Sequence, residues 1–403
     1  MSTRPAAPAL ASRGGTPVRK DFLPVARPSI GPREKQLVLE ALESGWITTG
    51  PKSLELGKRV AALAGARHGV ALAHATGGLH LALLAHGVGP GDEVVTSTWT
   101  FASCVSTIEH VGARPVLVDV ERDTLCLDPR AVEAAITPRT RALLPVDFAG
   151  HPADLDALGA LARARRIPMI EDAAHALGAA LGGRPVGSIS DVTVFSFYAT
   201  KNLTTGEGGA AVTNDAAIAA RIETLALHGM SHDAWKRYGE AGSWYYEVTA
   251  AGWKYNLSDV LAAIGLGQLE RFGEMQGERA ARAAQYDAAL AELPEIRRPI
   301  VRPGVTHAWH LYPVELELER LTCDRATFVQ ELKAENIGTS VHFIPIHHHP
   351  HFRAALGVKP GDFPVADDAY ARAISLPMFA GLGAGDVRDA CEAVRKVVAH
   401  HRR

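Results

Sequence analysis

Asp172 and Lys201 are the two side chains whose types and spacing best suit covalent chemistry in this sequence. Asp172 follows the segment IPMIE, and Lys201 comes 29 residues later, after the apolar segment VTVFSF. A carboxylate in such a place can hold a protonated pyridine nitrogen, because each charge stabilises the other. A lysine whose ammonium is destabilised by burial can form a Schiff base with an aldehyde. Each residue also has an ordinary interpretation, Asp172 as a helix cap and Lys201 as a solvated loop lysine.

A turn of small residues that could bind phosphate follows an apolar segment at residues 70–73. This turn contains Thr76 and Gly77 and leads into a helical pattern. Free N–H groups at a helix start bind phosphate with help from the helix dipole. The hydroxyl of Ser196 could add a further donor. Close packing of the helix on the strand is the alternative explanation of the small residues.

An aromatic cofactor ring would also need a stacking partner, and the segment TSTWTFASC offers Trp99 or Phe101. An aromatic side chain in such a segment often belongs to the core instead. Either role is open for both residues at this point.

The elements that must position these residues form a strand–helix alternation. We predict seven strands, at residues 70–73, 93–96, 115–120, 142–147, 168–171, 192–197 and 209–212, with amphipathic segments between several of them. Such alternation predicts an α/β fold with a mostly parallel sheet covered by helices on both faces. Ligands of such sheets lie beyond the carboxyl ends of the strands, where the polar residues named above would meet.

The domain organisation follows from where this pattern changes. We predict a disordered tail at residues 1–20, a large domain at 21–270 and a smaller α+β domain at 271–403. Within the smaller domain we expect strands at 308–318 and 339–343 and helices at 323–335 and 386–400.

Composition limits the classes of function. The chain has 403 residues, 47% of them hydrophobic, and 42 basic residues balance 44 acidic ones. Such a balance argues against a nucleic-acid or membrane-surface role. The four cysteines form no CxxC pair, which predicts no disulfide framework and favours a cytoplasmic location.

Five ordered motifs resemble a known family. The segments EDAAHALGA, FSFYATKN followed by GEGG, SGWITTGP, VDFAGHPAD and GWKYNLSD are similar to segments of the DegT/DnrJ/StrS sugar aminotransferases. The resemblance runs from about residue 20 to the end. The segments HAWHLY and GTSVHF look closest to the branch that forms UDP-4-amino-4-deoxy-L-arabinose.

The resemblance implies a fold-type-I enzyme that depends on pyridoxal 5'-phosphate (PLP) and works as a homodimer with shared active sites. Lys201 matches the Schiff-base lysine and Asp172 the partner of the pyridine nitrogen. Thr76, Gly77 and Ser196 match the positions that bind the phosphate, and Phe101 matches the position that stacks on the ring. His175 matches the position beside the phenolic oxygen of the ring, and Asn256 matches the asparagine that reaches the phosphate from the neighbouring subunit. In place of the usual Ser-Ser or Ser-Gly before the threonine, this chain has His74-Ala75. His74 is either a compensating donor or the end of the strand, and we favour the end of the strand.

A histidine cluster near the C-terminal third of the chain allows several roles. It comprises His342, His347, His348, His349 and His351. The HHHPH run is too compact for one tetrahedral zinc site, so we predict no metal. We expect surface histidines, with His342 and Thr48 as candidate contacts to the substrate.

The resemblance implies transfer of an amino group from glutamate to the keto group of a nucleotide-linked sugar, with a UDP-4-keto sugar favoured. Relatives that carry histidine in place of the lysine dehydrate sugars, and Lys201 argues against that reaction. An acceptor such as a keto-cyclitol or a small ketone is the main alternative. A non-catalytic PLP-binding regulator would need a DNA-binding module or a basic patch, and the sequence has neither.

Overall fold

A seven-stranded sheet forms the centre of the larger part of the computed structural model, which describes residues 9–230 and 245–403. In chain order, the strands of the described residues are β1 (His68–Leu72), β2 (Glu93–Ser97), β3 (Arg114–Val118), β4 (Thr140–Leu144), β5 (Ile170–Asp172), β6 (Ala180–Leu181), β7 (Arg184–Pro185), β8 (Val192–Ser196), β9 (Gly209–Thr213), β10 (Ile296–Arg297), β11 (Val305–Thr306), β12 (Tyr312–Leu316) and β13 (Ala373–Leu376).

Helices cover this sheet and build most of the remaining structure. In the described residues they are α1 (Pro32–Glu43), α2 (Pro51–Leu63), α3 (Ala75–Ala85), α4 (Ala102–His110), α5 (Pro129–Ala135), α6 (Leu155–Arg165), α7 (Ala216–Ala226), α8 (Asp259–Glu270), α9 (Phe272–Leu290), α10 (Arg325–Ala334), α11 (Pro350–Leu356), α12 (Pro364–Arg372) and α13 (Ala384–His401). Among the helices so described, none has both the length and the apolar character required to cross a membrane.

The strand order of the large sheet is β1-β9-β8-β5-β4-β2-β3. The two halves of the sheet are joined by parallel bridges from Leu143 to Met169 and from Val146 to Asp172. Strand β9 is antiparallel to both of its neighbours, while the other pairs are parallel. All seven predicted strands are present, and the mostly parallel α/β sheet is confirmed.

Alternation along β8 explains why both faces of this sheet are covered. Val192 and Val194 pack into a core with α3, whereas Phe195 and Phe197 pack into a second core on the opposite face. Successive side chains of a strand point to opposite faces, and the first four side chains of β8 are all buried, so both faces of the sheet must be covered. The central strands are therefore fixed between two apolar layers, with their carboxyl ends at one edge.

The smaller α+β part contains the antiparallel sheet β10-β12-β13 packed by α9, α10 and α13. The predicted strand at 308–318 is present only as β12, and the strand expected at 339–343 is absent because only Ser340 pairs with β13. Helix α9 starts in a core of the large sheet with Phe272 and Met275, and ends in the core of the smaller part with Tyr286 and Leu290. The division at residue 270 stays a prediction.

The predicted disordered tail is wrong for residues 9–20. Leu10 is fully buried in the core of the smaller part. The backbone N–H groups of Ala11 and Val18 donate to the buried carboxylate of Glu335, each over 2.9 Å. The polar, Pro/Ala-rich composition concealed one apolar anchor and two backbone donors that together order this segment. Residues 1–8 of the predicted tail lie outside the described residues.

Candidate active site

A cavity of about 510 Å³ opens at the carboxyl edge of the large sheet. The parallel strands β2, β4, β5 and β8 end beside it, as does β1 on the far side of β9. Seven of the predicted site residues contribute to its lining: Thr76, Phe101, Asp172, His175, Ser196, Lys201 and His342. Residues separated by up to 266 positions in sequence therefore meet at one place, which is where the sheet topology predicts a ligand.

Asp172 is the last residue of β5 and is buried. Its Oδ1 accepts the N–H of Ala174 over 3.0 Å, and its Oδ2 accepts the thiol of Cys104 over 2.7 Å. Burial raises the pKa of the carboxyl, although these two donors and the charge of Lys201 lower it. Because turns rather than a helix follow β5, Asp172 caps no helix, and its bond to Ala174 is an Asx-type turn.

Lys201 lies in the loop after β8, where its N–H donates to the carbonyl of Tyr198 over 2.9 Å. The side chain reaches the cavity that Asp172 also lines. Burial lowers the pKa of the lysine to about 8, while the charge of Asp172 raises it. A pKa of about 8 leaves about a tenth of the amine neutral at pH 7, which suits a nucleophile or a base. Lys201 is half-buried at the cavity, so it is not a freely solvated loop lysine.

The start of α3 also faces the cavity, through Ala75 and Thr76. His74 is the N-cap of α3, and its Nδ1 accepts the N–H of Gly77 over 2.8 Å. Our interpretation of His74 as a mere strand end is thus wrong, and the N–H of Gly77 is already engaged by this cap. A Cβ on Gly209 would come within 2.6 Å of the Ala75 nitrogen, so only glycine lets β9 pass this close to the helix start.

Trp99 and Phe101 have different environments. Trp99 is fully buried in a core cluster, and Phe101 is 63% exposed at the cavity. The choice between them as a ring partner therefore favours Phe101, which lies with its ring centroid 6.2 Å from that of Phe343. Stacking of Phe101 on a cofactor stays a prediction.

Three neutral histidines line the inner part of the cavity. The ring of His175 stacks on Phe343 at a centroid distance of 5.7 Å and lies 4.3 Å from the ring of His310. Burial lowers the pKa of His175 and of His310 well below the ordinary value, and that of His342 to about 4. These rings can exchange hydrogen bonds with a polar ligand without adding positive charge.

Asn256 and Thr48 are not brought to this cavity. Asn256 lines a separate cavity of about 450 Å³, accepts a 2.6 Å bond from Lys254 and donates to Thr49. Thr48 is exposed, and its carbonyl accepts the N–H of Asp259 over 2.9 Å. Within one chain, neither residue lines the cavity beside Lys201.

The C-terminal histidine cluster is more buried than we expected. His347 is fully buried, with its Nδ1 2.7 Å from Thr98 Oγ1 and its Nε2 2.8 Å from Asp367 Oδ1. His348 Nε2 lies 2.5 Å from the same carboxylate oxygen. Hydrogen bonds to Asp367 account for the placement of this pair, and His351 pairs with Glu109 instead.

Sequence reasoning missed several residues of the cavity. Cys104 was treated only as a thiol without a CxxC partner. In the structure, the hydroxyl of Thr100 donates to this thiol over 3.0 Å. The spacing of four residues between Thr100 and Cys104 was the signal available in the sequence. His310 stood within the motif HAWHLY without an assigned role. Tyr198 and Glu207 also line the cavity and flank Lys201 in sequence.

A sheet with one antiparallel strand, and a lysine and an aspartate at its carboxyl edge, define the class of fold-type-I enzymes that use PLP. The chain belongs to the DegT/DnrJ/EryC1/StrS aminotransferase family, whose pattern matches residues 28–395. The predicted family, fold class and enzyme class are confirmed. The arabinose branch stays a prediction.

Three relatives illustrate this membership. The spore coat polysaccharide biosynthesis protein SpsC of Bacillus subtilis is 48% identical over 381 residues, which cover 94% of this chain and 98% of SpsC. The PLP form of Spr1654 from Streptococcus pneumoniae has a TM-score of 0.87 and 33% identity, with 94% and 99% of the two chains covered. DesI, solved in the presence of its TDP-sugar product, has a TM-score of 0.86 and 34% identity, with 97% and 96% covered.

Proposed function

We propose that this PLP-dependent aminotransferase transfers the amino group of L-glutamate to the keto group of a nucleotide-linked sugar, with a UDP-4-keto sugar as the favoured acceptor. The observation that carries the proposal is the placement of Lys201 and Asp172 in one cavity at the carboxyl edge of the sheet. The TDP-sugar product seen with DesI, a relative of the same fold over nearly the whole chain, supports a nucleotide sugar as the acceptor.

The residues present fit the cofactor. A buried carboxylate suits a protonated ring nitrogen, the start of α3 and Ser196 suit a phosphate, and Phe101 suits a ring face. When bound, PLP supplies the aldehyde that takes up the amino group and the ring that accepts electrons from the donor. A volume of about 510 Å³ holds this cofactor together with part of a substrate.

The side chains divide the work of the reaction. Asp172, whose carboxyl accepts hydrogen bonds from Cys104 and Ala174, would hold the proton on the ring nitrogen. Lys201, with a pKa of about 8, would accept a proton from the donor Cα as a neutral amine and return it from its ammonium form. His175, whose Nδ1 accepts the N–H of Ala149, would donate from Nε2 to an oxygen of the ring or the sugar. His310, whose Nδ1 donates to Asn202 Oδ1, would accept at Nε2 from a hydroxyl of the substrate.

Two subunits would share each site. Asn256 lies outside the cavity of its own chain, so a role at the phosphate requires that it come from a second copy.

The four cysteines are free thiols, which supports a reducing compartment such as the cytoplasm.

A screen of acceptors tests this proposal. The purified chain with PLP and glutamate is mixed separately with UDP-, dTDP- and GDP-linked keto sugars and with keto-cyclitols, and the products are read by mass. We expect an aminated nucleotide sugar, and none with Lys201→Ala. Amination of a free keto-cyclitol alone would replace the nucleotide sugar with the alternative acceptor.

A further inference from the structure

Two buried carboxyl groups, Asp147 and Glu171, lie side by side beneath the cavity. Both are completely buried. Asp147 follows β4 and lines the cavity, and Glu171 precedes Asp172 in β5, the strand that pairs in parallel with the end of β4. Three carboxyl groups therefore occupy the junction of these two strands.

In each of the two carboxyl groups, one oxygen accepts a hydrogen bond and the other has no hydrogen-bond partner among the described residues. Asp147 Oδ1 accepts the N–H of Ala153 over 2.9 Å, and Glu171 Oε2 accepts the hydroxyl of Thr193 over 2.6 Å. Among the described residues, Asp147 Oδ2 and Glu171 Oε1 are buried without a hydrogen-bond partner, as is the hydroxyl of Ser190, which faces Glu171. The two carboxyl groups are neighbours across the junction of the two strands, and two such groups can hydrogen bond to each other only when a proton lies between them.

The surroundings strongly favour such a proton. Burial is the largest cause that raises the pKa of both carboxyls, and the negative charge of Asp172 raises both further. The other titratable group that faces Asp147 is Cys126, whose own pKa burial raises to about 12, so that it stays a neutral thiol. Lys201 acts on Asp172, where its charge favours the carboxylate. Two like charges at such a site cannot both be retained, as in other carboxyl dyads.

We propose that Asp147 and Glu171 share one proton near neutral pH and act as positioning residues that keep Asp172 the dominant anion facing the cavity. The pair then carries one negative charge instead of two. The effect of this pair on a cofactor ring nitrogen held by Asp172 rests on the proposed function. The shared proton does not, because both carboxyl groups belong to the protein and need no cofactor.

Infrared spectroscopy of the full chain, with and without PLP, tests the shared proton directly. We expect the wild-type spectrum at pH 7 to contain a protonated-carboxyl band that is lost in Asp147→Asn and equally in Glu171→Gln. An Asn side chain can accept from Ala153 and donate to Glu171, so it reproduces the hydrogen bonds without a titrating proton. The exposed Asp156→Asn, whose carboxylate pairs with Arg184, is the matched control and should leave the band unchanged.

The pH dependence of unfolding gives a second reading that does not use the cofactor. When a carboxyl keeps its proton in the folded state, the protein loses stability as the pH rises above the ordinary pKa of that carboxyl. The reason is that the unfolded chain releases the proton whereas the folded chain keeps it. The unfolding free energy of Asp147→Asn minus that of wild type should therefore rise between pH 5 and pH 8. The proposal is supported if the protonated-carboxyl band is lost in either variant and the difference in unfolding free energy rises between pH 5 and pH 8. A wild-type spectrum without the band, or a band that survives both substitutions, overturns it, and Glu171→Gln alone decides if Asp147→Asn does not fold.

Discussion

At Lys201, burial and charge act in opposite directions on the side-chain amine. Burial lowers the pKa to about 8, and Asp172 limits that decrease. The balance leaves an amine that is partly neutral at physiological pH and still able to carry a proton. A lysine in water, with a pKa near 10.4, would be almost wholly protonated there.

This balance predicts how the cofactor-free chain captures PLP. The rate of capture should rise about tenfold per pH unit below a midpoint near pH 8 and level off above it, because only the neutral amine attacks an aldehyde. Stopped-flow absorbance at a series of pH values measures the rate. Replacement of the exposed Lys359 by glutamine serves as the control and should keep the same midpoint. A midpoint near pH 10.5 would contradict the lowered pKa of Lys201.

Cys104 should matter through Asp172. Its thiol donates to Asp172 Oδ2, so Cys104→Val removes a hydrogen bond to a charged group, while Cys104→Ser keeps a donor. A bond of this kind contributes about 1.5–3 kcal/mol, which corresponds to a roughly 10- to 100-fold loss in kcat/KM for the valine variant. Steady-state kinetics with glutamate compare the two variants. Equal activity of both would show that Asp172 does not depend on this thiol.

Among the elements, the central strands were predictable from sequence and the small ones were not. In the segment VTVFSF, apolar residues occupy both even and odd positions, which indicates a strand buried on both faces, whatever surrounds it. Strand β13 has four residues and follows α12 directly, so local pattern gave no sign of its pairing with β12. The loop from 339 to 343 shows the reverse case, where a strand-like composition pairs at Ser340 alone.

The same contrast holds for the site. Lys201 and Asp172 were found because strong strand patterns precede them, which places both at one sheet edge. The cap made by His74 was missed because histidine is not among the preferred N-cap residues. Only the three-dimensional path of the chain shows that its Nδ1 meets the N–H of Gly77.

Helix α3 gives a prediction at this scale. His74→Ala removes the cap and should lower the unfolding free energy by about 1 kcal/mol, whereas His74→Ser supplies another cap and should lower it much less. Urea unfolding followed by circular dichroism measures both. A similar decrease for the two variants would mean that the ring of His74 acts by packing, since it also lies 5.1 Å from Tyr255.

For the whole molecule, the segment at residues 9–20 ties the start of the described chain to its end. Glu335, fully buried on α10's C-terminal side, accepts from Ala11 and Val18 and forms an ion pair with Lys396 of α13 over 2.8 Å. Lys396 in turn donates to the carbonyl of Thr16 over 2.8 Å. One carboxylate thus joins three segments that are far apart in sequence.

Removal of that carboxylate should release the segment. Glu335→Ala leaves a buried lysine without its partner, which costs about 3–5 kcal/mol of unfolding free energy. Limited proteolysis should then cut within residues 9–20 before the rest of the chain. The double variant Glu335→Ala with Lys396→Met is the control, and it should recover part of the stability because no buried charge remains unpaired. Unchanged protection of the segment in Glu335→Ala would show that its other contacts, the packing of Leu10 and the bond from Lys396 to Thr16, hold it.

The most direct test of the central claim, that Lys201 and Asp172 form the working centre of an aminotransferase, is a single half-reaction. The full chain is loaded with PLP, freed of excess cofactor and mixed with L-glutamate, and 2-oxoglutarate is quantified together with the visible absorbance of the bound cofactor. We predict loss of that absorbance with about one 2-oxoglutarate released per site, and neither change in Lys201→Ala. An unchanged spectrum with no 2-oxoglutarate from the wild-type chain, or equal release by Lys201→Ala, would contradict the claim.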